Sequence, residues 1–243
     1  MDDVLTLTAL AALMASLDAE PAPVSSDRDP RFVVLGPRFD EALLYASIAH
    51  RQQARKGGPI PYMSHLLGVA SIVLAHGGTE DQAIAGLLHD TVEDCGVNHE
   101  PAIEKLFGEA VLDMVLACTD ARVPAGTPKP DWWTRKAAYL RHLAELPPDH
   151  PALLVSCSDK VHNAEAILAD LETHGPALWA RFEGKLPEDH LWYYGRLAAF
   201  FDHALTGPAA PLARRLRVTV DALGELHRSH TEENRPRREE GKR

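Results

Sequence analysis

The chain has 243 residues, of which 45% are hydrophobic, 25% are charged and only 6% are aromatic. This composition is ordinary for a globular protein, and the length suits one substantial domain with appendages. The formal net charge of −10 at pH 7 argues against a broad nucleic-acid surface, because such surfaces neutralise phosphates with Lys and Arg, but it does not exclude a small phosphorylated ligand.

The N-terminal segment carries an apolar run from Val4 to Leu17 behind an acidic start, Met1-Asp2-Asp3. A secretory signal has positive charge ahead of its apolar stretch, and this run is too short to cross a bilayer. Three cysteines without a CxxC spacing indicate free thiols in a reducing compartment. We therefore predict a cytoplasmic protein without a membrane partner, with a short helix and a linker over residues 1–31.

Helical periodicity recurs through the rest of the chain, without the sustained alternation of apolar and polar residues that is typical of strands. Thr79 and Gln82 form a capping-box pattern at the start of one helix. The pattern predicts an all-α domain over residues 32–226 and a charged, disordered tail over residues 227–243. The predicted helices span residues 39–55, 64–75, 79–93, 101–107, 109–119, 131–145, 151–171, 176–183, 188–205 and 211–227.

The sharpest chemical signal is the segment LLHDTVED at residues 87–94. On one continuous helix, His89 and Glu93 lie one turn apart, as do Asp90 and Asp94, so the four polar side chains share a flank. Three acids and an imidazole crowded beside an apolar run repel one another unless a cation or a proton intervenes. A divalent metal meets that need and leaves the remaining carboxylates to orient water.

Two further segments offer metal ligands. His65 opens the helix predicted at 64–75, and Asp159 lies in an apolar helix with Asn163 one turn beyond it. With His89 and Asp90 they would form a mixed nitrogen and oxygen site with positions left open for water or substrate. Each residue taken alone has an ordinary structural explanation, such as a core histidine or a buried ion pair, and their joint occurrence favours the metal site.

Near the loop at 124–133, three basic residues are candidates for phosphate contacts: Lys129, Arg135 and Lys136. The aromatic residues of this region and of the segment 192–194 are expected mainly in the core, although Trp132 and Trp133 would also suit the face of a base.

These motifs, taken in order, resemble the hydrolase domain of the RelA/SpoT family, and most of all the stand-alone small alarmone hydrolases. The resemblance spans about residues 39–200. It rests on AHRQQARKG at 49–57, Pro61-Tyr62 with His65, the pair His89-Asp90 with Glu93-Asp94, and DKVHN at 159–163.

The resemblance implies an HD-domain helical bundle that holds one Mn²⁺ and removes the 3′-pyrophosphate from guanosine tetra- or pentaphosphate (ppGpp or pppGpp). It implies that Glu93 and Asp94 position and deprotonate the attacking water. Arg55 and Lys56 match residues near the nucleotide and its pyrophosphate, and Asn163 matches a residue at the ribose-phosphate side. The implied metal ligands are His65, His89, Asp90 and Asp159.

Three positions depart from the family pattern. His65 is followed by Leu66 where relatives have Pro, and Asp159 is preceded by Ser158 where they have Ala. One or two positions after His162-Asn163 many relatives carry Arg, whereas this chain has Ala164-Glu165. An acidic residue there is expected to weaken binding of a highly charged alarmone. The departures leave the metal ligands intact and bear on the substrate.

Several alternatives stay open on the residues alone. The same groups would serve to remove phosphate from another nucleotide, such as the 2′-phosphate of NADPH or the adenine analogue ppApp. A nucleotide-sensing module would bind without turnover, although it has no need of Glu93 and Asp94 beside the metal. A purely structural helical protein would hold no metal, and the oligomeric state is not indicated.

Overall fold

The computed structural model describes residues 32–148, 150–182 and 186–233. The predicted helix and linker at 1–31, and residues 234–243 of the predicted tail, lie outside the described residues. Within the described ranges the chain is all helical apart from loops and one isolated bridge between Ala54 and Pro61, which confirms the predicted fold class. None of these helices is long and apolar enough to cross a membrane.

Short 3₁₀ helices lie between some of the α-helices, at Val97–His99, Gly175–Arg181 and Gly207–Ala209, and longer loops at 50–62 and 119–131 connect others. In chain order the α-helices are α1 (Pro37–Ala49), α2 (Met63–Ala75), α3 (Glu80–Leu88), α4 (Thr91–Cys95), α5 (Glu100–Phe107), α6 (Glu109–Cys118), α7 (Trp132–Glu145), α8 (Ala152–His174), α9 (Pro187–Ala204) and α10 (Ala210–Glu233).

Helix α3 lies at the centre of the bundle. Every residue from Ala83 to Leu88 is buried, which places the helix in the core on all of its faces. Its contact with α2 is close, since a Cβ atom added at Gly86 would lie 3.3 Å from the Cα atom of Ala70. At its start, Thr79 Oγ1 accepts from the Gln82 amide at 3.2 Å while Gln82 Oε1 accepts from the Thr79 amide at 2.9 Å, which confirms the predicted capping box.

Three predicted helices differ from the structure. The helix predicted at 39–55 ends at Ala49, because the next residues form a loop in which the Arg55 amide donates to the Ile60 carbonyl at 2.8 Å. The helix predicted at 79–93 is two helices, α3 and α4, with a bend at His89 and Asp90. The segment predicted as a helix at 176–183 is the 3₁₀ helix Gly175–Arg181.

Helix α10 continues to Glu233, so residues 227–233, which the sequence predicted as the start of a disordered tail, are helical. Leu226 packs against the core, and the helix propagates from this anchored turn. Two hydroxyls bond back to the backbone of the last turns: Ser229 Oγ donates to the Glu225 carbonyl at 3.1 Å, and Thr231 Oγ1 donates to the His227 carbonyl at 2.9 Å. Charge alone therefore overstated the disorder.

Candidate metal and substrate site

The bend between α3 and α4 brings two predicted ligands to one point. Asp90 has φ −95° and ψ −3°, and its carbonyl still accepts from the Asp94 amide at 2.8 Å. His89 Nε2 lies 2.9 Å from Asp90 Oδ2, so neighbouring residues of the chain face the same space. Glu93 and Asp94 are carried away from this point on α4.

Helices α2 and α8 add the other two predicted ligands. His65 Nε2 lies 3.2 Å from Asp159 Oδ1 and 3.5 Å from Asp90 Oδ2, and His89 Nε2 lies 3.5 Å from Asp159 Oδ1. One ligand atom from each of His65, His89 and Asp159 falls within 4.8 Å of the others. Nitrogen and oxygen ligands bound about 2.1 Å from one ion at right angles lie about 3 Å apart, so the spacing suits a single cation.

The two imidazoles present unused nitrogens to this space. His65 Nε2 and His89 Nε2 are buried without a hydrogen-bond partner of good geometry in the described part of the chain. Their other ring nitrogens are engaged: His89 Nδ1 lies 2.9 Å from the Gly86 carbonyl, and His65 Nδ1 lies 2.9 Å from His162 Nδ1. Buried polar atoms normally have a partner, and a cation would supply one here.

The electrostatics of the cluster favour positive charge between the two carboxylates. Burial works against the charged form of His89, but Asp90 and Asp159 raise the pKa of its imidazole well above the usual range. Burial likewise opposes ionisation of both acids, yet His89 lowers the pKa of Asp90, and Lys160 lowers the pKa of Asp159. A proton on the imidazole or a divalent cation satisfies this arrangement.

An outer ring of side chains holds the carboxylates, and sequence reasoning missed two of its members. The Tyr62 hydroxyl donates to Asp90 Oδ2 at 2.6 Å, and Lys160 Nζ donates to Asp159 Oδ2 at 2.6 Å. Both residues lie within the motifs of the resemblance, Tyr62 in Pro61-Tyr62 and Lys160 in DKVHN, but neither was predicted to contact a carboxylate of the site. The first contact fixes the orientation of the Asp90 carboxylate, and the second fixes that of the Asp159 carboxylate.

Of the predicted substrate-binding residues, Asn163 and Arg55 are connected to the candidate metal site by hydrogen bonds, and Lys56 is exposed. The amide of Asn163 donates to Asp159 Oδ1, and Arg55 Nη1 donates to Asn163 Oδ1 at 3.0 Å. Lys56 is exposed in the turn that follows Arg55. Glu165 is bound by Arg215 of α10 through two hydrogen bonds of 2.6 and 2.8 Å, so its negative charge is paired.

Glu93 and Asp94 form a second acidic centre, bridged by a lysine. Lys129 Nζ donates to Glu93 Oε1 at 2.8 Å and to Asp94 Oδ1 at 2.9 Å, and Gln53 Nε2 donates to Asp94 Oδ2 at 2.7 Å. Burial, followed by the charges of Asp120 and Asp90, raises the pKa of Glu93 to about 7, although Lys129 works in the opposite direction. A carboxyl with this pKa suits proton transfer near neutral pH.

The other two basic residues proposed for phosphate contacts share one carboxylate. Arg135 Nη1 lies 2.6 and 2.7 Å from the two oxygens of Asp120, and Lys136 Nζ also donates to Asp120. The Asp120 amide in turn donates to Glu93 Oε2 at 3.3 Å. Both cations are therefore paired with Asp120, and their contact with a phosphate stays a prediction.

The aromatic residues divide between core and surface. Trp132 packs against the core beside Tyr193, with ring centroids 5.7 Å apart, and Tyr193 and Tyr194 are buried, as expected. Trp133 and Trp192 are each 39% exposed, with ring centroids 5.0 Å apart, so the expectation of a core position is wrong for this pair. The two rings cover each other on the outer sides of α7 and α9.

Comparison with known proteins gives a consistent picture. The family model described as HD domain matches residues 42–187. The protein named guanosine-3′,5′-bis(diphosphate) 3′-pyrophosphohydrolase MESH1 of Xenopus tropicalis is 37% identical over 155 residues, which cover 63% of this chain and 78% of that protein. The Drosophila melanogaster protein of the same name is 33% identical over 147 residues, which cover 59% of this chain and 75% of that protein.

A solved structure extends the similarity to three dimensions. It is described as a metazoan ortholog of SpoT that hydrolyzes ppGpp and plays a role in starvation responses. It is similar to this chain with a TM-score of 0.61 and 28% sequence identity, over 79% of this chain and 99% of that one.

Proposed function

Because the chain belongs to the HD-domain family, we propose that it is a metal-dependent hydrolase that removes the 3′-pyrophosphate from ppGpp or pppGpp. The relatives described above carry this activity in their names. The observation that carries the proposal is the separation of two acidic centres: Asp90 and Asp159 lie at the unused imidazole nitrogens, while Glu93 and Asp94 stand outside that set. A binding module has no use for the second centre.

The proposed metal ligands are His65, His89, Asp90 and Asp159, and the proposed ion is Mn²⁺. Two imidazole nitrogens and two carboxylate oxygens form a donor set that first-row divalent metals accept. When bound there, the ion lowers the pKa of water near it and offsets charge on a phosphoryl oxygen. The buried, unpartnered Nε2 atoms support this fit.

The other residues supply the proton transfer and the charge. Glu93, with a pKa of about 7, takes the proton of the attacking water, and Asp94 helps to orient that water. Arg55 and Lys56 bind the pyrophosphate and the nucleotide, where their charge stabilises the negative charge that develops in the transition state. Asn163, held between Arg55 and Asp159, is placed to contact the ribose-phosphate side.

We further propose that the hydrolase domain spans residues 32–226 and that the protein is cytoplasmic. The described thiols of Cys95, Cys118 and Cys157 are all unpaired, which supports a reducing compartment. The net charge of −10 supports a small nucleotide rather than a nucleic acid as the substrate.

The decisive assay measures product release by the full chain with Mn²⁺ from a panel of ppGpp, ppApp and NADPH. We expect pyrophosphate from ppGpp, no turnover after chelation of the metal, and none by the Asp90→Ala variant. Turnover of NADPH alone, with release of phosphate, would replace the alarmone with a 2′-phosphorylated nucleotide. Nucleotide binding without turnover of any substrate would favour a sensor, and absence of metal binding would favour a structural protein.

The pH dependence of the reaction follows from Glu93. Since a general base acts in its deprotonated form, kcat/KM for ppGpp is expected to rise with pH and to level off above about pH 7. A cation beside Asp90 offsets the charge of that carboxylate, which is one of the charges that raise the pKa of Glu93. In the metal-bound enzyme the midpoint of the ascending limb of the pH profile is therefore expected at or below about pH 7. The measurement is a pH profile of kcat/KM between about pH 5 and pH 9.

Lys129→Met gives the matched test of this profile. The Lys129 ammonium lowers the pKa of Glu93, so its removal is expected to shift the ascending limb to higher pH. The position of the limb is the relevant quantity, because a change in its height would also follow from weaker substrate binding. A limb that stays in place in this variant would contradict the assignment of Glu93.

A further inference from the structure

A second histidine contacts the ring nitrogen of His65 that does not face the candidate metal site. His162 Nδ1 lies 2.9 Å from His65 Nδ1, and the two ring centroids are 4.8 Å apart with an interplanar angle of 58°. His162 lies on α8 one turn beyond Asp159, so α8 contributes both a proposed ligand and a contact to the ligand opposite it.

The hydrogen bond fixes where the protons lie on both rings. A metal on His65 Nε2 requires a lone pair there, so the single proton of the neutral ring is on Nδ1. His65 Nδ1–H therefore donates, His162 Nδ1 accepts, and the proton of His162 lies on its Nε2. His89 uses the commoner arrangement, in which Nδ1 faces the backbone carbonyl of Gly86 at 2.9 Å.

Space for the His162 ring comes from a glycine on the facing helix. A Cβ atom added at Gly68 would lie 2.3 Å from both Cδ2 and Nε2 of His162. Gly68 is one turn beyond His65 on α2, so the same face of α2 carries the ligand and the gap beside it. Any larger residue at this position would push the ring away from His65.

We propose that His162 is a positioning residue that sets the tautomer and ring orientation of His65 for metal binding, and that Gly68 provides the space this requires. The inference rests on the proposed function, because it needs a metal on His65. The competing explanation is that His162 only fills space between α2 and α8. The two explanations differ in whether an acceptor atom at this position matters.

The test compares two substitutions of His162 in the full chain by calorimetric titration with Mn²⁺. His162→Leu keeps the bulk and removes the acceptor, and its dissociation constant for Mn²⁺ is expected to rise about 10- to 100-fold, as for other residues that orient metal ligands. His162→Asn keeps an acceptor oxygen near the place of Nδ1 and is expected to restore most of the affinity. Thermal unfolding of the metal-free proteins checks that each variant folds.

The outcomes separate this inference from the proposed function. Binding of Mn²⁺ by the wild type with equal affinity in His162→Leu would overturn the role of His162 and leave the proposed function standing. Equal weakening in His162→Asn and His162→Leu would mean that the ring acts by packing, and would also overturn it. Failure of the wild type to bind Mn²⁺ would overturn both.

Gly68 is tested by a double-mutant cycle with the same titration. Gly68→Ala alone is expected to weaken Mn²⁺ binding, because it displaces the His162 ring. In the His162→Ala background the ring is absent, so the added methyl group is expected to have little further effect. Additive losses in the double variant would show that Gly68 acts independently of His162 and would overturn this part of the proposal.

Discussion

Replacement of Glu93 by Gln is expected to lower kcat for ppGpp hydrolysis by about 10²- to 10⁴-fold, the usual contribution of a general base. The amide has nearly the same shape but does not accept the proton of the attacking water. Glu93 stands outside the proposed ligand set, so the affinity for Mn²⁺ should change little. Steady-state kinetics together with a metal titration measure both quantities in the same preparation.

Glu100→Gln is the matched control for this substitution. Glu100 is also a partly buried glutamate in a close ion pair, with Arg122 Nη2 at 2.6 Å, but its partner and its surroundings are not those of the candidate site. We expect wild-type kcat in this variant. A Glu93→Gln enzyme that retains wild-type kcat would show that another group takes the proton.

Replacement of Asp159 by Ala is expected to destabilise the metal-free protein by about 3–5 kcal/mol, the usual effect of leaving a buried charge without its partner. Lys160 is buried, and its Nζ donates to Asp159 Oδ2 at 2.6 Å. The pKa of Asp159 lies well below its usual range, so the folded state favours the charged carboxylate. Urea unfolding at pH 7 in the presence of a chelator measures the difference.

The sign of the pH effect gives a second measurement on the same residue. Because the folded state lowers the pKa of Asp159, its contribution to stability is fully present above the unfolded value of about 3.9 and is lost as the pH falls through the folded value. On the acid side, the gap between the wild type and Asp159→Ala should therefore narrow only in strong acid, as the pH falls through the folded pKa of Asp159.

Asp202→Ala is the control for the stability experiment. Asp202 accepts from Arg217 Nη2 at 2.7 Å, a distance similar to that of the Asp159–Lys160 pair, but both side chains are about one third exposed. An exposed ion pair contributes about 0–1 kcal/mol. Equal losses in the two variants would contradict the view that Lys160 depends on Asp159 as a buried partner.

The helical fold could be predicted, and the residues of the candidate site could be proposed, because their signals are local. The capping box at Thr79, the apolar periodicity and the His-Asp pair directly after an apolar run are all contained within short windows of the sequence. A carboxylate or imidazole on an apolar helix needs a polar partner. Distant segments that each carry such a group are therefore expected to meet, even before their geometry is known.

The bend at His89 and Asp90 could not be predicted, because every residue from 79 to 93 is compatible with a continuous helix. It depends on the surroundings of α4, where Thr91 and Val92 are buried and Thr91 Oγ1 lies 3.3 Å from His50 Nε2 at the end of α1. Such contacts between remote segments leave no trace in the periodicity of either one.

The bridge from Lys129 to the two acids has the same origin. The loop before α7 contacts α4 through the hydrogen bond from the Asp120 amide to Glu93. No periodicity or motif in the loop sequence predicts this contact. The exposed pair Trp133 and Trp192 shows the opposite error, since aromatic residues favour burial on average but can also cover each other at a surface.

The distribution of the proposed ligands over α2, the α3–α4 bend and α8 has a consequence for synthesis of the protein. His65, His89 and Asp90 leave the ribosome well before Asp159, so a nascent chain presents an incomplete set of ligands. Since tight metal binding requires the whole set in its folded arrangement, the proposed ion would bind only when α8 has packed against α2. Chains that end before α8 would therefore lack hydrolase activity.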